Sequence, residues 1–269
     1  MRISAGCQIT YDCPQPTPML LMISPHPSRT PDLIGPHQVN FEPAIPARHY
    51  RDGFGNSCTR IVAPPGRLVI STRLLVQDSG QPDKLLPQAR QHRVEDLPDD
   101  ALVYLLGSRY CETDKLADFA WARFGTGPEG WARVQAICDY AHNHIAFDYM
   151  KASATRSAAE ANLDKVGVCR DFAHLAITLC RCVNIPARYC TGYLGDIGMP
   201  PPYGPMDFAA WLEVYLDGAW HTFDARNNQP RIGRILMARG RDATDVAIAT
   251  TFGPCNLADF QVFTDEVAG

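Results

Sequence analysis

The dipeptide Asp217-Gly218 constrains this chain more than any other feature. It separates two strand-like runs, "AAWLEVYL" (209–216) and "AWHTFDAR" (219–226). Asp-Gly is a two-residue type I′ hairpin signal, because both turn positions need positive φ. Such a turn pairs 216 with 219, 214 with 221, 212 with 223, 211 with 224 and 209 with 226. One face then collects Leu212, Val214, Leu216, Phe223 and Ala225, with His221 as its single polar member. A three-residue loop would flip the second strand and bury Asp224 and Arg226, so the two-residue register is the consistent one. The opposite face carries Ala209, Trp211, Glu213, Thr222, Asp224 and Arg226. Residues 209 and 224 are diagonal neighbours there, and a histidine at 209 would reach Asp224. His221 points to the other face.

The elements before this hairpin set the fold class. Residues 1–85 are rich in proline and hold short strand-like runs ("PMLLMIS", "CTRIVAP", "RLVISTRLLVQ") broken by "DGFGN" and "PPG". They predict a small β-sandwich-like domain. A polar linker follows over 86–96. From 97 the periodicity is helical through "LPDDALVYLLGSRYC", "ETDKLADFAWARFG" and "GWARVQAICDYAHNHI". Ser157-x-x-Glu160 is a capping box. "VGVCRDFAHLAITLCRCVNIP" predicts a helix of about 14 residues ending before Pro186. Strands and turns then run to the end. Helices followed by an antiparallel sheet make an α+β core over 97–269. No phosphate-binding glycine loop is present, since "GTGPEG" lacks the lysine and strand context.

The net charge of −4 excludes a nucleic-acid or anionic-membrane partner as an expectation. No apolar run approaches the roughly 20 residues that span a bilayer. "MRISAGCQITYDC" has no secretory pattern, which predicts a cytoplasmic protein whose ten cysteines are reduced.

One cysteine stands apart. Cys169 follows Gly167-Val168 and opens the long helix, whose apolar face is Phe172, Leu175, Ala176, Leu179 and Val183. The free N–H groups and partial positive charge of a helix N-terminus favour a thiolate there, and the same N–H groups can hold an oxyanion. His174 lies about 140° around that helix and faces away, as a surface or interface histidine. His142 and His144 close an earlier helix. By position, Arg170, Asp171, Tyr193, Asp207 and Trp211 are candidate substrate contacts. The Pro/Gly loop 192–208 is a candidate wall, and a plain connection is equally compatible with it. The run Arg226, Arg231, Arg234, Arg239 and Arg241 could favour an acidic substrate, but a solvated basic edge is the expectation.

"GVCRDFAHLAITLCRCVNIPARYCTGYL" followed by "MDFAAWLEVYLDGAWHTFDAR" resembles the core of the transglutaminase-like superfamily, most closely over residues 130–228. The β-rich start is similar to the N-terminal domain of its bacterial cysteine protease and amidase members. The resemblance implies a papain-like core, a Cys-His-Asp triad, no cofactor and no metal. It places the nucleophile at Cys169, the aspartate of "W-x-x-F-D" at Asp224 and the histidine of "H-A-W-x-E-V-Y" at Ala209. It implies acyl transfer through a thioester on an amide-containing small molecule or peptide. Only the base is missing. Two readings of Ala209 follow: a His→Ala replacement in an active enzyme, favoured because Cys169 and Asp224 remain, or a natural pseudoenzyme that binds through the old cleft.

Overall fold

In the computed structural model, residues 1–267 are described, and they form two β-sheets in one unit and a helix-covered sheet in another. The first unit opens with β1 (Arg2–Cys13), β2 (Thr17–Leu21), β3 (Gln38–Glu42), β4 (Arg48–Arg51), β5 (Ser57–Ala63) and β6 (Gly66–Gln77). The helical part follows with α1 (Asp99–Leu102), α2 (Thr113–Phe124), α3 (Trp131–His144), β7 (Ala146–Phe147), α4 (Ala158–Asp164), β8 (Val166–Gly167) and α5 (Cys169–Cys182). Next come β9 (Ala187–Tyr193), β10 (Ala209–Leu216), β11 (Ala219–Phe223) and β12 (Ile235–Gly240). The chain closes with β13 (Ala249–Thr251) and β14 (Asn256–Val267).

The β9–β12 sheet has the order β11-β10-β9-β12, and every pairing in it is antiparallel. α5 packs on β9 and β10. Almost the whole of α5 is buried, so its sequence periodicity understates its position at the centre of the core. Two of its buried polar side chains find backbone partners: Thr178 Oγ1 donates to the His174 carbonyl at 2.7 Å, and Arg181 Nε donates to the Ala187 carbonyl at 3.0 Å. The capping box at α4 forms, with Ser157 N–H donating to Glu160 Oε2 at 2.8 Å.

The strands of residues 1–77 build two sheets, but each is completed from the far end of the chain. One has the order β14-β1-β6-β3 and the other β13-β2-β5-β4. The expectation of a continuous core over 97–269 is therefore corrected: residues 249–251 and 256–267 pair with β2 and β1. The reason is β1 itself, whose Ile3, Ala5, Cys7 and Ile9 are buried and need a partner strand on both sides. The expectation of ten reduced thiols is also corrected, because Cys13 and Cys255 are joined as a disulfide at a Cα–Cα distance of 4.5 Å. Among the described residues, no helix is long and apolar enough to cross a membrane.

Candidate active site

The hairpin forms in the expected register, with 216 opposite 219, 214 opposite 221 and 212 opposite 223, and Asp217 and Gly218 both adopt positive φ. The register stops there. β11 ends at Phe223, and Asp224 begins a turn in which its carbonyl accepts from Asn228 N–H at 2.7 Å. The expected pairs 211–224 and 209–226 do not form. Ala209 pairs instead with Gly192 on β9, and its carbonyl accepts from Thr191 Oγ1 at 3.1 Å.

Cys169 is held at the start of α5 by its neighbours. Asp171 Oδ2 accepts from Val168 N–H at 2.8 Å and locks the first turn. A Cβ at residue 167 would meet the Asp171 side chain at 2.6 Å, which is why glycine stands there. The first-turn N–H groups of Cys169 and Arg170 have no intrahelical acceptor. The half-buried Cys169 Sγ lies 3.9 Å from the Phe208 carbonyl oxygen. Burial, and then the Asp207 carboxylate, push its thiol pKa up to about 11 against an Ala210 N–H and Arg226.

Ala209 and Cys169 face the same space. Both line a cavity of about 810 Å³, and both line a smaller one of about 110 Å³ next to it. Asp224 lines neither cavity but bonds Asn227 on the wall of the smaller one, and at 7% exposed it is a buried carboxylate just past the end of β11. Its Oδ1 accepts from Arg226 N–H at 3.1 Å and Asn227 N–H at 2.8 Å. Its Oδ2 accepts from Asn227 Nδ2 and Arg234 Nη2, both at 2.7 Å. Burial pushes its pKa up, but the Arg234 charge and the Asn227 donors outweigh that and hold it below its ordinary value.

The arginine run is not a solvated edge. Arg234 bridges Asp224 and Asp83 with its side chain 8% exposed, and Arg231 pairs with Asp196. Arg234 also lies over the Trp211 ring at 5.2 Å, so the outer face of β10 is covered. Of the five candidate substrate contacts, Arg170 and Asp207 line the large cavity. Asp171, Tyr193 and Trp211 do not: Asp171 caps α5, Tyr193 packs its ring 5.3 Å from Phe208 in the β-unit core, and Trp211 is covered by Arg234. Asp207, Phe208 and Met206 bring the 192–208 loop into the cavity walls.

His174 is fully buried, contrary to the surface position expected of it. Its Nε2 accepts from Ala243 N–H at 3.1 Å, and its ring stacks on Tyr110 with centroids 5.0 Å apart. Desolvation drives its pKa well below the ordinary value. His221 bonds the Leu216 carbonyl and His142 the Arg226 carbonyl, and neither lines the two cavities. Sequence reasoning missed Tyr11, Tyr189 and Phe260 in the large cavity. Tyr189 sat in the strand after the helix and could have been suspected, whereas Tyr11 and Phe260 arrive by long-range pairing that leaves no local signal. Among the described residues no group of three or more His, Cys, Asp or Glu is placed to hold a metal ion.

The model of the transglutaminase-like superfamily matches residues 121–225. An uncharacterized protein of Mycobacterium tuberculosis (strain ATCC 25618 / H37Rv) is 31% identical over 235 residues, covering 78% of this chain and 73% of the relative. One from Mycobacterium leprae (strain TN) is 26% identical over 235 residues, covering 82% and 81%. The crystal structure of a "putative cysteine protease" from Cytophaga hutchinsonii is 30% identical, with a TM-score of 0.84, and covers 100% of this chain and 91% of that one.

Proposed function

The chain belongs to the transglutaminase-like superfamily, and from that premise we propose that it carries the site of a cysteine-dependent acyl transfer at an amide bond, with its base position emptied. The observation that carries the reading is that Cys169, at a helix N-terminus, and residue 209 border the same two cavities, the smaller of them walled by Asn227, which donates to the buried Asp224 carboxylate. Cys169 sulfur would attack the amide carbonyl. The N–H groups of the first turn of α5 would hold the oxyanion. The amine would leave on taking a proton, and water or a second amine would release the thioester. A histidine at 209 would carry that proton both ways, oriented by Asp224. Ala209 can do neither, and loss of a triad base costs several powers of ten in rate. We read Ala209 as a His→Ala replacement in an otherwise intact site.

One observation favours a second reading, a binding protein that uses the cleft without turnover. Asp224 already accepts four hydrogen bonds, about the full capacity of a carboxylate, so a histidine would have to share or displace one. The Ala209→His variant separates the two. Alkylation of Cys169 by iodoacetamide at pH 7, followed by peptide mass, is expected to accelerate well beyond that of a free model thiol. If it stays at or below the model thiol, the enzyme reading fails and the binding reading stands.

A further inference from the structure

The two spaces that meet at Cys169 differ in kind. The smaller is lined by Asp196, Asp207, Arg226, Asn227 and Arg231 and is polar. The larger, about 810 Å³, falls within the roughly 300–1,000 Å³ of small-molecule sites. Its walls are largely apolar and come from both units of the fold. Tyr11 stands on β1, and Leu257 and Phe260 stand on β14. The link to the nucleophile is short: the Phe260 ring lies 5.7 Å from the Phe208 ring, and the Phe208 carbonyl oxygen lies 3.9 Å from Cys169 Sγ.

Charge in this chamber is also one-sided. Its charged side chains are Arg170 and Asp207. The Arg170 guanidinium is committed, donating to the Ser153 and Ala154 carbonyls and lying over the Tyr110 ring at 5.1 Å. Asp207 accepts a hydrogen bond from its own Phe208 N–H at 2.6 Å. No ion pair reaches Asp207 among the described residues. A substrate therefore meets apolar walls and one uncompensated carboxylate beside the sulfur.

We propose that the large chamber takes the bulky apolar or aromatic arm of an amide and turns away acidic ones, with Tyr11, Leu257 and Phe260 setting that selectivity. This rests on Cys169 being the reacting group. It runs against an acidic substrate, because none of Arg226, Arg231, Arg234, Arg239 and Arg241 lines this chamber, and Arg231, Arg234 and Arg241 are held in ion pairs elsewhere.

The test compares three haloacetamides on the protein as it stands: iodoacetamide, its N-benzyl derivative and its N-carboxymethyl derivative. In each, the Cys169 sulfur displaces iodide, forming a C–S bond as C–I breaks, and the thiol proton goes to solvent. Labelling of Cys169 is read by peptide mass, and each rate is divided by the rate on free N-acetylcysteine. The normalised benzyl rate is expected to exceed the carboxymethyl rate at least about tenfold, the gain from burying a ring plus the penalty against Asp207. Leu257→Asp, at an exposed position of the same wall, and Phe260→Ala should each shrink that ratio, and Asp207→Asn should raise the carboxymethyl rate. Three equal normalised rates, or ratios unmoved by these substitutions, overturn the proposal. The ratios do not depend on a base at 209. A failure here therefore leaves the Ala209→His result standing, and a failure there removes the substrate role while leaving the chamber's measured preference in place.

Discussion

Replacing Arg234 with alanine should be among the more damaging single changes in this molecule. Its side chain is 8% exposed and donates to Asp83 at 2.8 Å and to Asp224 at 2.7 Å. Without it, two carboxylates with side chains 16% and 3% exposed lose their shared cation. Removing one partner of a buried ion pair costs ~3–5 kcal/mol, because the remaining charge stays desolvated. At ~2–4 °C of melting temperature per kcal/mol for a chain of this size, the expected drop is ~6–20 °C. Circular dichroism melts at pH 7 would read it, and Arg234→Met separates charge from stem, since it keeps the apolar contact with the Trp211 ring. The pH dependence has a definite sign. Asp224 is held below its ordinary value, so its contribution is complete above roughly pH 4 and is lost as pH falls through the lowered value. The gap between wild type and Arg234→Ala should therefore narrow as acid protonates Asp224. A drop under ~2 °C at neutral pH, or a gap just as wide at pH 3.5, would refute the reasoning.

Two further outcomes follow from buried groups. Alkylation of the denatured, unreduced protein should modify eight thiols, with Cys13 and Cys255 protected by their bond, and ten modified thiols would restore the fully reduced state expected of a cytoplasmic chain. His174 is held neutral by desolvation, so the unfolded chain takes up a proton that the folded one refuses. Stability should fall as pH drops below about 6.5, and His174→Leu should flatten that fall, measured as melting temperature against pH.

Local chemistry made part of this site legible. Asp217-Gly218 announces its turn, and the alternation around it leaves one register that keeps Asp224 and Arg226 out of the core. Gly167 and Asp171 mark the start of α5, and the structure begins it at Cys169. What escaped was everything decided by distant partners. The cover on the outer face of β10 left no local sign, because Arg234 and Asp83, which cover and pair along it, lie 23 and 128 residues away from Trp211. His174 looked external because Tyr110 and Ala243, which enclose it, belong to other segments. Asp224 was placed on a strand, yet its own side chain caps the turn that ends that strand.

The strands β13 and β14 also order events on the ribosome. Residues 1–77 emerge ahead of 249–267 and hold six strands in two sheets left edge-open, with β1 lacking the neighbour that arrives only with residues 256–267. The helix-covered sheet between them can assemble while the first-made strands wait. The half of the protein that is begun first is thus the half completed last, and a nascent chain stalled before residue 256 would present β1 as an unpaired edge to its neighbours.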